Sequence, residues 1–195
     1  MHDGGARGSR QRAERSDGIE NRRRILDSAT VVVARDGLKV PLATVACEAG
    51  VGIGTLYRHF PNRDALLNGL VLRSMRLVLE SARTAAAESG PAIEALRQYF
   101  FQTIDRREQL ILPLRGGPEI TSAEVADLRG EIHDSIADIL RRGAEDGTIR
   151  TGVTSFDIVL MATMLAQPLP RVPDWDRMAQ RTARIYLAGL APEAS

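Results

Sequence analysis

Cysteine occurs once in the 195 residues, at Cys47, and one thiol cannot close an intramolecular disulfide. Its place inside a short helical stretch marks it as a small packed side chain rather than a redox centre. Histidine is almost as scarce. His2, His59 and His133 are too dispersed for a metal cluster. The paired Glu-x-x-His motifs of a two-metal helical-bundle enzyme are missing, because Glu131-Ile132-His133 has the wrong spacing for one helical face and no second copy. Neither a glycine-rich phosphate loop nor a serine elbow is present. The expectation is therefore a protein that is not an enzyme and that carries no cofactor and no metal. No apolar core of a secretory signal opens the chain, and the apolar run Ile158 to Ala166 is too short to span a bilayer. This predicts a cytoplasmic protein without a membrane partner.

Aromatic residues make up 4% of the chain against 44% hydrophobic residues, which favours aliphatic packing between helices. A net charge of +1 is also too small to announce a nucleic-acid partner, but its distribution is uneven. Residues 1–63 hold 11 basic and 7 acidic side chains, a net of +4, whereas residues 64–195 carry a net of −3. Seven arginines precede Ile25: Arg7, Arg10, Arg12, Arg15, Arg22, Arg23 and Arg24. Gly4, Gly5, Gly8 and Asp17-Gly18 interrupt this leader, which shows no apolar periodicity. Residues 1–19 are expected to form a disordered basic arm, suited either to a DNA minor groove or to solubility alone. Arg22 to Arg24, at the start of the first helix, are candidates for phosphate contact.

From Leu42 to Phe60 the alternation of apolar and polar positions fits two short helices joined at Gly50. Glycine reaches the left-handed conformation of a helix stop without a Cβ clash. Ala46, four residues earlier, puts a methyl group where two helices cross closely. Val45, Val51, Leu56 and Phe60 supply an apolar plug, as a tri-helical DNA-binding motif requires. Pro41 suits the opening turn of the leading helix. With Leu56 and Phe60 turned inward, a step of about 100° per residue points Gly54 and Arg58 outward, with Thr55 and Tyr57 on the flanks. Arg58 can pair bidentately with guanine, and Gly54 permits close backbone approach. Tyr57, His59 and Arg63 suit phosphates, with Asn62 as the N-cap of the following helix.

Ile25-Leu26, Ala29, Gly37, Val45-Ala46, Ala49-Gly50-Val51 and above all Gly54-Thr55-Leu56-Tyr57-Arg58-His59-Phe60-Pro61, with Arg63 and Ala65-Leu66, resemble the TetR family of bacterial transcriptional regulators. The resemblance covers about a quarter of the chain, from Ile25 to Leu67. It implies an all-α fold: a tri-helical helix-turn-helix DNA-binding domain followed by a helical ligand-binding and dimerisation domain. It also implies a homodimeric repressor released by a small molecule. The implied DNA-binding residues are Arg22, Arg23, Thr44, Ile53, Gly54, Thr55, Tyr57, Arg58, His59 and Arg63. Three positions depart from the family. Val40 replaces a threonine cap, a loss of about 1 kcal/mol in typical cases. Gly52 replaces a serine cap, at a few tenths of a kcal/mol by the usual ranking. Ile53 stands where a polar residue is common, and it can offer a thymine methyl only an apolar contact.

Long helices follow: Asn62 to Glu88; Pro91 to Asp105; a short segment at Gln109 to Leu114; a helix opened by a Thr121/Glu124 capping box and ended by Gly147; Thr154 to Gln167; and Asp174 to Leu190. The domains expected are an arm at 1–19, a DNA-binding domain at 20–63 and a regulatory and dimerisation domain at 64–195. From Ile158 to Ala166 only Thr163 is polar, so that helix must be covered on every side. Met161, Leu165, Ile185 and Tyr186 are the candidate dimer interface, a four-helix contact whose two-fold axis matches an inverted repeat in double-stranded DNA. Phe100, Phe101, His133, Met161 and Met164 are candidate contacts for an effector of unspecified chemistry. Arg97 and Arg115 are further candidates if that effector is acidic. The alternatives are a helical-bundle enzyme and a DNA-bound dimer controlled by a protein partner without a small-molecule ligand.

Overall fold

The computed structural model describes residues 4–111, 122–169 and 172–192, with side chains from residue 16 onward. Among the described residues there are eight α-helices, one 3-10 turn and no strand. The chain divides into two units, Met1–Leu70 and Val71–Ser195, so the division falls inside a helix and seven residues beyond the expected 63/64 boundary.

The first unit is built from α1 (Gly4–Asp36), α2 (Leu42–Glu48), α3 (Ile53–His59) and the start of α4 (Arg63–Ala86). The unstructured arm expected at residues 1–19 is corrected from residue 4 onward, where the backbone is helical and continuous with the rest of α1. Alanine, arginine, glutamine and glutamate between residues 6 and 15 are strong helix formers. They extend a helix already nucleated downstream at little cost. Residues 1–3 lie outside the described residues.

Ile25, Ala29 and Val32 of α1, Val45 and Ala46 of α2, and Leu56 and Phe60 of the α3 segment are the buried apolar residues of three helices that pack on one another. Val51, expected in the same plug, is only half-buried. Gly50 has φ +61°, the left-handed stop that the turn requires. Pro41 and Gly52 stand at the N-caps of α2 and α3, and neither helix receives a side-chain cap bond. Asn62 does cap α4, its Oδ1 accepting from the Ala65 amide at 2.8 Å. Cys47 is exposed, not packed. One residue after buried Ala46, the helix has turned it about 100° away from the core.

The second unit comprises the rest of α4, α5 (Ala92–Asp105), a 3-10 turn at Arg107–Gln109, α6 (Ala123–Glu145), α7 (Ser155–Leu165) and α8 (Trp175–Ala188). Leu96, Tyr99, Phe100 and Ile104 of α5 form the centre of its core. They share it with Ile132, Ile136 and Ile139 of α6, Ile158 and Ala162 of α7, and Ala179, Ala183 and Leu187 of α8. The cap of α6 is Ser122 rather than the expected Thr121, which lies outside the described residues, as do residues 112–120. With Ser122 as the cap the N3 position is Val125, so Glu124 is out of register for a capping box, and it ion-pairs with Arg76. Thr154 and Asp157 form a complete capping box on α7. Asp174 occupies the N-cap of α8 without a side-chain cap bond and pairs with Arg177 at 2.7 Å instead. Trp175 Nε1 donates to the Leu165 carbonyl at 2.9 Å, tying the start of α8 to the end of α7.

Candidate nucleic-acid interface

The seven residues of α3 present one buried face and one exposed face, with two half-buried positions between them. Leu56 is fully buried and Phe60, just past the helix, nearly so. Ile53, Gly54, Tyr57 and Arg58 are exposed, and Thr55 and His59 are half-buried on the other flank. A Cβ built on Gly54 would meet no atom within 4 Å. Neither a positive φ nor crowding inside the protein calls for glycine there. The outward face is thus one guanidinium, one phenol, one aliphatic side chain and a stretch of bare backbone, all of it open to a duplex. Thr44 of α2 is half-buried.

The arginines expected on phosphates are engaged elsewhere. Arg24 Nη2 donates to the Ala49 carbonyl at 2.7 Å and to that of Gly50 at 3.3 Å, reaching from α1 to the turn of the motif. Arg63 Nη1 donates to the carbonyls of Leu38 at 2.9 Å and Val40 at 2.6 Å, so it holds the loop that leads into α2. Arg22 lies 4.4 Å from the centre of the Phe60 ring, and its Nη1 donates to the His59 carbonyl at 3.4 Å. Arg23 pairs with Glu20 at 2.7 Å and Asp27 at 3.3 Å along α1. Arg22 and Arg24 both place a cation at the carbonyl end of a short helix, where the helix dipole and unpaired carbonyls favour it. Sequence pattern misses the contacts of Arg22, Arg24 and Arg63 because each joins residues more than twenty positions apart. The burial of the His59 ring, helped by the charges of Arg22 and Arg58, holds its pKa below the ordinary value of 6.5.

Two family models match the chain. Residues 25–70 match the model described as bacterial regulatory proteins, tetR family, and residues 114–192 match the C-terminal domain of SbtR-like transcriptional regulators. Among solved structures, the TetR transcriptional regulator SCO0520 from Streptomyces coelicolor is 31% identical, with a TM-score of 0.64. The match covers 89% of this chain and 99% of that one. The chain belongs to the TetR family. An uncharacterized HTH-type transcriptional regulator of Bacillus subtilis, YhgD, is 25% identical over 88% of this chain and 93% of its own length. The regulator LfrR from Mycobacterium smegmatis, solved in complex with proflavine, shares the fold at 22% identity and a TM-score of 0.68, covering 90% of this chain and 99% of that one. As a TetR-family member this protein is a helix-turn-helix, DNA-binding transcriptional regulator.

The residues expected in the regulator's second unit do not gather at one place. Phe100 is fully buried between Tyr99 and Tyr186, with ring centres 6.1 and 5.8 Å away. Phe101 lines a cleft of about 390 Å³ together with Glu88, Glu94, Gln98 and Asp105, and the guanidiniums of Arg97 and Arg184 lie 5.6 and 5.0 Å from its ring centre. Arg97 also pairs with Glu94 at 2.5 Å. Arg115 lies outside the described residues. His133 Nδ1 is 3.1 Å from Ser155 Oγ, and the ring stacks on Phe156. Met161 is half-buried, while Met164 is exposed on the outer face of α7 and turned away from the core.

Of the four expected interface residues, Ile185 is exposed, Met161 and Tyr186 are half-buried, and Leu165 is buried in its own unit's core. Leu165 is thereby corrected from interface to core. The stripe that does face outward on α7 is Phe156, Leu160 and Met164, spaced four residues apart, and Met178 and Ile185 of α8 are exposed as well. Their exposure identifies them, whereas an all-apolar helix offers no period from which to choose a face.

Proposed function

We propose that this regulator is a repressor that holds an inverted-repeat operator as a homodimer and leaves it when a small molecule binds the second unit. The observation that carries the reading is the outward apolar stripe Phe156, Leu160 and Met164 with Met178 and Ile185, on a domain that already has a complete core of its own. A surface of this kind calls for a partner, and a second copy related by a two-fold axis meets like with like. Reading an inverted repeat requires two α3 helices about 34 Å apart, the spacing of successive major grooves on one face of DNA. Thr44, Ile53, Gly54, Thr55, Tyr57, Arg58 and His59 then meet the duplex, with Arg58 on a base edge and Tyr57 and His59 on phosphates.

The effector's effect is limited by how much better it binds the DNA-incompetent arrangement. The Phe101 cleft, which combines an aromatic face with carboxylates and Arg97, supports ligand entry beside α5. The experiment is selection of bound duplexes from a random pool, with mass measured for the free protein and for the complex. An inverted repeat bound by two chains is expected. A solitary chain, or no preferred sequence at moderate salt, would refute the reading.

A further inference from the structure

The recognition helix opens on a side chain that its own fold does not use. Ile53 is the first residue of α3 and 44% exposed, and Tyr57, one turn later, is 49% exposed. By rotation alone Ile53 lies only about 60° from inward-facing Leu56, a position that ordinarily reaches the core. It projects instead from the N-terminal end of the helix, about 4.5 Å ahead of Leu56 along the axis. Ile53 and Tyr57, four residues apart, are neighbours on the helix surface. Gly54 beside them adds no side chain, and a Cβ there would meet nothing within 4 Å, so the pair is flanked by open backbone.

N-terminal residues of a recognition helix reach base edges in the major groove. An isoleucine there has neither donor nor acceptor for the nitrogen and oxygen atoms of a base edge. Facing guanine, adenine or cytosine it would cover polar groups and leave them unpaired, which is unfavourable. Thymine alone presents an apolar group in that groove, its C5-methyl. We infer that Ile53, with Tyr57 beside it, selects a thymine by its methyl group at one position of each operator half-site. The inference rests on α3 reading an operator, and it adds the identity of one base and the chemical group by which it is read.

The test uses the full chain and its selected operator, with each thymine replaced in turn by deoxyuridine. That replacement removes the methyl group and keeps the base pair. One symmetry-related position is expected to respond, with affinity falling about fourfold per half-site, the equivalent of roughly 0.8 kcal/mol for one buried methyl group. In Ile53→Ala the difference between thymine and uracil at that position should vanish while the remaining positions behave as before. A wild-type protein indifferent to every uracil replacement overturns the inference and leaves operator reading intact. So does a methyl preference that survives in Ile53→Ala. Failure to select any operator removes operator reading itself, and this inference with it.

Discussion

Arg24 on α1 donates a 2.7 Å hydrogen bond to the carbonyl of Ala49, at the turn between the two helices of the DNA-binding motif. The same Nη2 sits 2.9 Å from where a Cβ on Gly50 would stand. The left-handed turn and the guanidinium that caps it therefore depend on each other. A substitution at Gly50 strains the backbone and displaces Arg24 together.

Because Arg24 and Arg63 bind carbonyls of their own chain, their loss should resemble a positioning defect. Arg24→Met and Arg63→Met are each expected to lower stability by about 1–2 kcal/mol, the range for a charged hydrogen bond at a partly exposed site. Both should weaken operator binding. The slope of log affinity against log salt concentration should not change, whereas a lost phosphate contact would reduce it by about 0.9. Titrations at four salt concentrations, beside thermal melts, separate the two roles.

Gly54 carries an opposite expectation for folding and binding. Nothing within 4 Å opposes a methyl group there, so Gly54→Ala should raise stability by up to about 1 kcal/mol through helix propensity. Operator affinity should fall, since the methyl would stand where backbone meets DNA. A stabilised variant with unchanged affinity would show that the face does not approach the duplex closely.

Binding should take up protons at His59. In the free protein its pKa is held below 6.5, so the ring is predominantly neutral at pH 7. A phosphate against the ring favours the charged form and raises that value. The complex then binds more protons than the free protein, and affinity must rise as pH falls through the interval between the two values. The gain is at most about tenfold per pH unit for each proton taken up. His59→Gln should flatten the profile, and an equally steep profile in that variant would rule out His59 as the titrating group.

Leu160 is exposed on α7 in the middle of the outward stripe and contributes little to its own core. If the proposed dimer forms through this stripe, Leu160→Glu should leave the helical content unchanged while dispersing it, because a carboxylate would be buried in an apolar contact. Sedimentation velocity over a range of concentrations reads this directly. A dimer as tight as wild type would move the interface elsewhere.

The helix-turn-helix was legible in the sequence because its determinants are local. Ala46, Gly50, Leu56 and Phe60 act through spacing along one stretch of chain, and all of them sit where the helical period puts them. The Thr154 cap and the end of α6 near Gly147 belong to the same class. The arginines did not. A guanidinium carries the same charge whether its acceptor is a phosphate or a carbonyl, and the acceptors of Arg22, Arg24 and Arg63 lie 23 to 37 residues away. Periodicity also failed on α7, where nearly every residue is apolar and no face stands out.

From order and spacing alone, then, came the all-helical class, the reading motif with its outward residues, and a surplus of apolar surface toward the C-terminus. Packing alone decided which of those apolar residues remain uncovered and which arginines are already bound. The physical reason is that turns, caps and helical faces are set by neighbours within a few residues. Burial and hydrogen-bond partnership depend on chain segments that meet only once the core has closed.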